Sequence, residues 1–448
     1  MDMLDAINSP GTIGVLGYGV TGKAVVRFCE KQKIPYKVFD ESGSQEEQFS
    51  EEEAKKCHLI VRSPSFMLSH RWTKWAMAVG CCCVGELDLA SCFWHGKIVA
   101  ITGTNGKTTT TEFVAHSLRT HGQKVITCGN IGRPFIEIID SDINEHDSWA
   151  VVEVSSFQMD GGTLFRPDYV LWTNFADDHL DIHAGIREYF NCKANLLRNA
   201  KTSNGPQKHC FVGQSVHDFC KNLQITDVLG KYTICSKFDL LPTESALNIK
   251  AQQENFALVQ KFWTSNDFPV KRLQEAALTF KIPPHRFQIV AKIKRCDIQT
   301  GKEKEVEFWN DSKATNFHAL NVALASFNKK VILIAGGKSK DEPLEKFQEV
   351  VAGRIKALLL IGETGKILHQ TMDANLVKNS GVVYKFFPND GDLKKLMAHI
   401  VEYAFILAVD GDVVLLSPGF SSLDWFKNYA DRGKFFENGV LCLNLQNK

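Results

Sequence analysis

The feature that most constrains the fold is a repeated alternation of short apolar runs with helix-length segments. The runs stop at glycine or at a polar turn, as in "TIGVLGYG", "KIVAITGTNG" and "VILIAGG". This alternation is typical of βαβ units, in which parallel strands form a sheet that helices cover on both faces. Because the rhythm occurs in three successive blocks, we predict an α/β chain with three doubly wound domains.

The 448 residues are too many for one hydrophobic core, and length alone suggests roughly two to four domains. We predict a Rossmann-like domain over residues 1–90, a larger domain of the P-loop ATPase type over 91–284, and a second Rossmann-like domain over 285–448. The third block contains "VILIAGG", "KALLLIG", "VVYKFF" and "DVVLLSPG", which predict a compact parallel sheet.

Charge and composition narrow the class of partner. The 52 Lys and Arg residues nearly balance the 51 Asp and Glu residues, so neither nucleic acid nor an anionic membrane is indicated. No stretch approaches the roughly 20 apolar residues that span a bilayer, and the N-terminus lacks the apolar core of a signal peptide. The 13 cysteines show no C-x-x-C spacing, which favours reduced thiols. We therefore expect a cytoplasmic protein that binds small molecules.

The stretch "ITGTNGKTTT" places a glycine loop between a predicted strand and a predicted helix. It departs from the motif G-x-x-x-x-G-K-[ST], because Ile101 stands where the first glycine is required. Gly103 and Gly106 still let the backbone approach phosphate oxygens, Lys107 supplies a cation and Thr108 supplies a hydroxyl for Mg²⁺. We predict a nucleoside triphosphate site, and the alternative is an ordinary turn between strand and helix.

A second glycine-rich turn, "GYGVTG" at residues 17–22, follows the first predicted strand, and Asp40 lies about twenty residues further on. This G-x-G-x-x-G pattern is typical of NAD-binding proteins. However, any pyrophosphate at a helix N-terminus satisfies the same physics, so a uridine diphosphate group fits equally well. A purely structural tight turn is the third possibility.

Acidic and histidine side chains follow two strands of the central block. Glu153 ends the strand-like run "WAVVE", and "DDHLDIH" at residues 177–183 follows another run, so these groups are expected at one sheet edge, where they suit Mg²⁺. Zinc bound through His179 and His183 is the alternative, but Leu180 stands where the H-E-x-x-H pattern requires glutamate. We expect His183 to be a surface residue and His179 to be functional.

Seven short motifs together resemble the Mur ligase family, and in particular its D-glutamate-adding branch. They are, in chain order, "GTNGKTTT", "GNIG", "EVSSFQ", "TNFADDHLDIH", "YFNCKANLLRNA", "PHRFQ" and "NDSKATN". The resemblance extends over nearly the whole chain, and "NDSKATN" is its specific element, because sibling ligases and folylpolyglutamate synthetases share the phosphate loop. It implies ATP-dependent amide formation between UDP-N-acetylmuramoyl-L-alanine and D-glutamate through an acyl phosphate, in peptidoglycan biosynthesis. It also implies two Mg²⁺ sites, and we expect a monomer.

The resemblance assigns roles to individual residues. The implied ATP contacts are Gly103, Thr104, Asn105, Gly106, Lys107, Thr108, Thr109, Arg286, Asp311 and Lys313, and the third domain is expected to close over ATP and the amino acid. The implied contacts to the UDP substrate are Val20, Thr21, Asp40, Asn130, Ser155 and Gln158. Those to D-glutamate are Thr315, Ser422, Tyr429 and Lys340, with Lys338 as the alternative to Lys340.

The implied metal ligands are Thr108, Glu153, His179 and Lys193, the lysine as a carbamate. Lys107, Lys193, His179 and Glu153 are the implied catalytic residues. Without the resemblance, Lys193 would be expected to be a solvated helix lysine. The stretch "AQQEN" at residues 251–255 departs from the family's H-N-x-x-N pattern, so Gln252 is expected to replace an asparagine near the adenine.

Three other functions stay open from the sequence. A related ligase that adds a different amino acid, or acts on a folate, would share the nucleotide motifs. An NAD-dependent oxidoreductase would explain residues 17–22 but not Lys107. A nucleotide-binding regulator without chemistry would leave the predicted metal ligands unexplained.

Overall fold

A computed structural model describes residues 9, 11–43, 48–201, 209–296, 303–339, 343–371 and 381–446. Contacts between residues divide the chain into two compact units. The first unit comprises Met1–Ala176, His183–Asn248 and Gln252–Phe280, and the second comprises Asp177–Ile182, Ile249–Ala251 and Lys281–Lys448. The first unit contains two β-sheets and the second unit contains one.

The N-terminal sheet has four parallel strands in the order β2-β1-β3-β4. Its strands are β1 (Thr12–Leu16), β2 (Tyr36–Phe39), β3 (Cys57–Arg62) and β4 (Cys82–Gly85), and its helices are α1 (Val20–Gln32), α2 (Glu51–Lys56), α3 (Arg71–Ala78) and α4 (Glu86–Ser91). Only three of these strands were predicted, from the apolar runs "TIGVLG", "KVFDES" and "LIVRSPS". Strand β4 was missed because its "CCVG" sequence is too short to form a recognisable apolar run.

The central sheet has six parallel strands in the order β10-β9-β8-β5-β7-β6. Its strands are β5 (Lys97–Thr102), β6 (Val125–Gly129), β7 (Trp149–Glu153), β8 (Tyr169–Trp172), β9 (Cys210–Val212) and β10 (Thr233–Ile234). The helices of this part are α5 (Lys107–Thr120), α6 (Ile186–Asn199), α7 (Gln214–Asn222), α8 (Lys250–Ser265) and α9 (Val270–Thr279). Because β5 pairs with both β7 and β8, the loops that follow these three strands emerge side by side.

The two sheets of the first unit share one hydrophobic core, which includes Val15 and Leu89 from the N-terminal part and Ala100 and Val152 from the central part. Helix α4 is fixed to the central part by two buried carboxylates. Glu86 accepts a hydrogen bond from the backbone of Ile136 (2.6 Å), and Asp88 accepts one from the backbone of Leu164 and another from Phe165 (2.8 Å each). The predicted division of this unit at residue 90 stays a prediction.

The third sheet lies in the second unit and has the strand order β11-β12-β16-β13-β14-β15. Its strands are β11 (Gln288–Cys296), β12 (Glu303–Asn310), β13 (Val331–Gly336), β14 (Ile355–Ile361), β15 (Val383–Phe386) and β16 (Val413–Leu416). Its helices are α10 (Phe317–Leu324), α11 (Leu344–Val351), α12 (Gly362–Thr371), α13 (Leu393–Leu407) and α14 (Tyr429–Gln446).

The third sheet is not purely parallel as the sequence predicted, because β11 and β12 form an antiparallel pair. This pair was missed because the segments "QIVAKIKRC" and "EKEVEFWN" alternate polar and apolar residues and form no continuous apolar run. The four predicted strands of this block are all present and pair in parallel. None of the helices in the described ranges combines the length and the apolarity that crossing a bilayer requires.

Candidate active site

The loop between β5 and α5 requires glycine at two positions. Gly103 (φ 151°) and Gly106 (φ 80°) both have backbone conformations that L-residues rarely adopt. A Cβ atom on Gly103 would clash with the Thr173 hydroxyl, and one on Gly106 would clash with the Asn255 side chain. The loop is anchored by Asn174, whose carbonyl and side-chain oxygens accept hydrogen bonds from the backbone N–H groups of the next two loop residues, Thr104 and Asn105 (3.0 and 2.9 Å).

Helix α5 begins at Lys107, directly after this loop, so its N-terminus faces the position where the predicted phosphates would bind. The Lys107 ammonium folds back over the loop and donates to the carbonyl oxygens of Gly103 (2.9 Å) and Thr104 (3.0 Å). Thr108 lies half-buried in the first helical turn, and Thr109 is buried behind it. The local geometry is therefore that of an anion-binding loop with a cation at its centre.

Lys193 is not the solvated helix lysine that its sequence context suggested. Its side chain is only 2% exposed, on the buried face of α6. Its Nζ donates to the carbonyl oxygen of Gly103 (3.0 Å) and lies 3.4 Å from the Thr102 hydroxyl and 4.8 Å from the centre of the Tyr189 ring. Lys193 and Lys107 therefore donate to the same carbonyl oxygen, so two ammonium groups lie beside the glycine loop.

Glu153, at the end of β7, is 3% exposed. Its Oε1 accepts a hydrogen bond from the side chain of Asn130 (2.9 Å), whose backbone N–H also donates to the Glu153 carbonyl (2.8 Å). Oε2 has no hydrogen-bond partner among the described residues. Because buried carboxylate oxygens are normally satisfied, this atom suits a hard cation such as Mg²⁺.

The structure brings no three His, Cys, Asp or Glu side chains together as a metal site within the described ranges. The metal roles of Thr108, Glu153, His179 and Lys193 therefore remain predictions. Only two of these four residues, Glu153 and His179, are of the types that define such a cluster, because the other two are a threonine and a lysine.

The two histidines of "DDHLDIH" have different environments. His179, in the second unit, has a left-handed backbone (φ 56°), and its Nε2 lies 3.6 Å from the Asp178 carboxylate. Asp178 also accepts a hydrogen bond from the Asn316 side chain in the same unit (3.0 Å). His183, in the first unit, is buried, contrary to the expectation of a surface residue. Its Nε2 lies 3.0 Å from the Ser156 hydroxyl, and its ring stacks on Phe157.

Ser155 and Gln158 form a closed turn after β7. The backbone N–H and hydroxyl of Ser155 both donate to the Gln158 side-chain oxygen (3.0 and 3.1 Å). Two residues on, Asp160 forms a buried ion pair with Arg62 (3.7 Å) and accepts a hydrogen bond from the backbone of Leu68. Arg62 was not predicted, although an arginine within the apolar run "LIVRS" was a usable signal.

The "GYGVTG" turn opens on a cleft of about 410 Å³, lined by residues 17–21, 40–42 and 63–66. Asp40 accepts hydrogen bonds from the Ser42 hydroxyl, the Ser42 backbone and the Tyr18 backbone, and these bonds hold the pKa of its carboxyl below the ordinary value. Val20 (70% exposed) and Thr21 begin helix α1 at the cleft. The segment 63–66 was not predicted as part of this site. The glycine turn at this cleft suits the pyrophosphate of either a dinucleotide or a uridine nucleotide.

Tyr429 contacts two other predicted residues of the second unit. The Arg286 guanidinium donates to the Tyr429 hydroxyl (3.3 Å), and the Lys313 ammonium lies 4.4 Å from the centre of the Tyr429 ring. The carboxylate of Asp311 accepts hydrogen bonds from the Phe287 backbone (3.1 Å) and the Ser417 hydroxyl (3.0 Å). Burial raises the pKa of Asp311 to about 7.

Two of the predicted D-glutamate residues, Thr315 and Ser422, lie on loops that Arg432 holds together. Arg432 is fully buried and donates to the carbonyl oxygens of Gly336, Phe420 and Ser421 and to Ser312. Burial lowers the pKa of Arg432 to about 9. Arg432 could not be predicted from the sequence, because an arginine in a helix is usually a surface residue.

The loops around Arg432 carry the remaining predicted contacts. Ser422 is buried, Thr315 is half-buried, and Lys338 pairs with Ser421 through two backbone hydrogen bonds (2.8 and 3.1 Å). Lys340 lies outside the described residues. Because Ser422 follows Ser421 in the chain, this contact places Lys338 beside Ser422.

Gln252, predicted to replace an asparagine near the adenine, is buried in helix α8, and its side-chain oxygen accepts a hydrogen bond from Asn255 (2.9 Å). Asn255 packs against Gly106 of the glycine loop. Helix α8, which carries Gln252, and the glycine loop are therefore neighbours in the first unit. The prediction places these two segments near the adenine and the phosphates of the same nucleotide.

Comparison with known proteins gives one consistent result. Residues 101–228 match the Mur ligase middle domain. The chain is 31% identical over 476 residues to the UDP-N-acetylmuramoylalanine--D-glutamate ligase of Caldicellulosiruptor bescii, covering 95% of this chain and 96% of the relative. It is 31% identical over 457 residues to the ligase of the same name from Aquifex aeolicus, covering 95% of this chain and 97% of the relative.

Solved structures share the fold at low sequence identity. The MurF ligase of Thermotoga maritima, in complex with ADP, superposes with a TM-score of 0.55 at 15% identity over 97% of this chain and 96% of that chain. The UDP-N-acetylmuramate-alanine ligase MurC of the same organism gives 0.53 at 15% identity, over 96% and 99%. These similarities confirm the predicted α/β fold class, with its three sheets.

Proposed function

The chain belongs to the Mur ligase family, within its D-glutamate-adding branch, and we propose that it forms the new amide bond through an acyl phosphate made at the glycine loop. Its activity is the ATP-dependent addition of D-glutamate to UDP-N-acetylmuramoyl-L-alanine in peptidoglycan synthesis. The full-length similarity to ligases of this name supports the substrates, and the residues around the glycine loop support the chemistry.

A free carboxylate is a poor acyl donor, because oxide is a poor leaving group. In the first step, an oxygen of the alanyl carboxylate attacks the γ-phosphorus of ATP, the bond to the bridging oxygen breaks and ADP leaves. In the second step, the neutral amine of D-glutamate attacks the acyl phosphate carbonyl, inorganic phosphate leaves with the bonding electrons, and the nitrogen loses a proton. The products are the amide, ADP and phosphate.

The observation that carries this proposal is the convergence of Lys107 and Lys193 on the carbonyl oxygen of Gly103 (2.9 and 3.0 Å). Two ammonium groups on one side of the loop, one of them buried, attract negative charge. The phosphates of ATP supply it to Lys107, which stays a cation and stabilises the charge that moves during transfer. Carbamylation makes Lys193 itself negatively charged. Attack of its neutral amine on CO₂ forms an N–C bond, releases a proton and leaves an anion.

The proposed reaction uses two Mg²⁺ ions. Glu153 presents a buried carboxylate oxygen without a hydrogen-bond partner among the described residues, and we assign Thr108, Glu153, His179 and carbamylated Lys193 as the metal-holding residues. When bound, the ions would neutralise phosphate charge and polarise the phosphoryl oxygens. Asn130 would hold the Glu153 carboxylate in place through the bond to Oε1.

The remaining predicted residues are assigned to the uridine nucleotide, to ATP or to D-glutamate. Val20, Thr21 and Asp40 would contact the uridine nucleotide in the N-terminal cleft, with Ser155 and Gln158 further along the substrate. Arg286, Asp311 and Lys313 would contact ATP, and Thr315, Ser422 and Lys338 or Lys340 would contact D-glutamate. We place the reaction in the cytoplasm, where ATP and nucleotide-activated sugars are available, and we expect the protein to act as a monomer.

The test is release of inorganic phosphate by the purified protein with ATP, Mg²⁺, UDP-N-acetylmuramoyl-L-alanine and one amino acid at a time. Only D-glutamate should stimulate release, and the product should have the mass of the D-glutamyl amide. Stimulation by another amino acid, with D-glutamate inactive, would assign a different ligase. In a parallel assay supplied with NADH, an absorbance change at the nicotinamide band without any phosphate release in the first assay would assign an oxidoreductase.

A further inference from the structure

Tyr429, the first residue of helix α14, is the meeting point of two cations in the second unit. The Arg286 guanidinium lies 5.6 Å from the centre of its ring and also donates to its hydroxyl (3.3 Å). The Lys313 ammonium lies 4.4 Å from the centre of the same ring. Both cations are predicted to contact ATP, whereas Tyr429 itself was predicted to contact D-glutamate.

The backbone of Tyr429 is fixed to the loop that carries Lys313. The Tyr429 carbonyl oxygen accepts a hydrogen bond from the Ser312 hydroxyl (2.8 Å), and that hydroxyl in turn accepts one from the buried Arg432 side chain (3.0 Å). Ser312 is itself fully buried and precedes Lys313 in the chain. Buried hydrogen bonds therefore fix the backbone from which the Tyr429 ring extends.

Arg286 and Lys313 have long side chains that would otherwise populate many rotamers. An aromatic face attracts both cations through its quadrupole, and the hydroxyl fixes the guanidinium in addition. Because both cations contact the same ring, a single polyanionic ligand such as a triphosphate can interact with both of them.

We propose that Tyr429 is a positioning residue for ATP, which presents Arg286 and Lys313 as a pair to the phosphates. Its effect is on nucleotide affinity, separate from any contact with the amino acid. This inference rests on the proposed function, because it takes ATP as the ligand of the two cations.

Two substitutions separate the hydroxyl from the ring. Tyr429→Phe removes only the hydrogen bond to Arg286 and is expected to raise the KM for ATP and the Kd for ADP by roughly three- to tenfold. Tyr429→Leu also removes the aromatic face, and a rise on the order of thirtyfold is expected. In both variants the KM for D-glutamate and the KM for the UDP substrate should stay within about twofold of wild type. General loosening of the structure would instead raise the KM values of all three substrates.

The matched control is Tyr403, which is also half-buried in the second unit and carries the Lys385 ammonium 3.8 Å from its ring centre. Tyr403→Phe and Tyr403→Leu should leave the Kd for ADP unchanged. Circular dichroism and thermal melting report whether each variant folds, and Tyr429→Phe, which keeps the ring and its packing, decides the question if the leucine variant unfolds.

An unchanged Kd for ADP in a folded Tyr429→Phe variant, with a raised KM for D-glutamate, would overturn the inference and make Tyr429 an amino-acid contact. The Kd for ADP is measured without D-glutamate. If wild type binds ADP but shows no D-glutamate-dependent phosphate release, the proposed function fails, while the binding result still decides the role of Tyr429.

Discussion

Lys107 and Lys193 lie 86 positions apart in the sequence, yet both donate a hydrogen bond to the carbonyl oxygen of Gly103. One lysine comes from the helix that follows the glycine loop, and the other comes from the buried face of α6. The shared acceptor brings two positive charges to one side of the loop. Their roles should therefore differ, and substitution of each should have a different signature.

Lys193→Ala is expected to be nearly inactive at saturating ATP, because it removes the group that becomes an anion on carbamylation. A short carboxylate such as formate or acetate at high concentration should restore part of the rate by supplying the missing negative charge. Phosphate release measured with and without the added anion checks this.

The control for chemical rescue is Lys107→Ala, which should show none, because an anion cannot replace a cation. Full activity of Lys193→Ala in buffer depleted of CO₂ would contradict the carbamate assignment and leave Lys193 as a structural lysine.

Lys107→Ala is expected to lower kcat by roughly a hundred- to a thousandfold, the effect of losing one preorganised charge, or about 2.7–4 kcal/mol of transition-state stabilisation. The fold should survive, because the helix and its buried face are unaltered. Lys124→Ala, an exposed lysine paired with Glu145, serves as the control and should retain wild-type turnover. Near-wild-type kcat in Lys107→Ala would rule out the phosphate-loop assignment.

The N-terminal cleft is expected to bind UDP and the UDP substrate but not NAD, because the reaction has no hydride step. Isothermal titration calorimetry with each ligand distinguishes them. Asp40→Ala should weaken UDP binding, since the Asp40 carboxylate holds the Tyr18 and Ser42 backbones at the cleft. Binding of NAD at micromolar concentration that the UDP substrate cannot displace would contradict this prediction.

Glu86 should make stability depend on pH. Burial raises the pKa of Glu86 from the ordinary 4.5 to about 7, so the folded state binds its proton more tightly than the unfolded state does. Its contribution to the free energy of unfolding is full below pH 4.5 and is lost as the pH rises through about 7, a change on the order of 3 kcal/mol.

Glu86→Gln removes this titration while keeping an oxygen that accepts from the Ile136 backbone. The variant should therefore gain stability relative to wild type between pH 5 and about pH 8, as measured by denaturant midpoints at several pH values. Glu52→Gln on helix α2, which is exposed, is the control and should track wild type. A difference between Glu86→Gln and wild type that does not change with pH would show that Glu86 does not titrate in this range.

Much of the fold was predictable from local sequence. The strands β5, β7, β8 and β9 of the central sheet lie in apolar runs, because a strand buried between two helical layers must be apolar on both faces. The pair β11 and β12 was not predictable in this way, because both segments alternate polar and apolar residues and so lack a continuous apolar run.

The sequence by itself determined the parts of the site that are contiguous in the chain: a strand, two glycines with positive φ, a lysine at the helix start and a threonine after it. These follow from backbone sterics and from the charge at a helix N-terminus, which act over a few residues. Tertiary structure alone decided the burial of Lys193 beside Gly103, the buried Arg432 network and the two cations on Tyr429. Each of these depends on which distant segments pack together, and a side chain that would be solvated on an isolated helix becomes buried and hydrogen-bonded only when another element covers it.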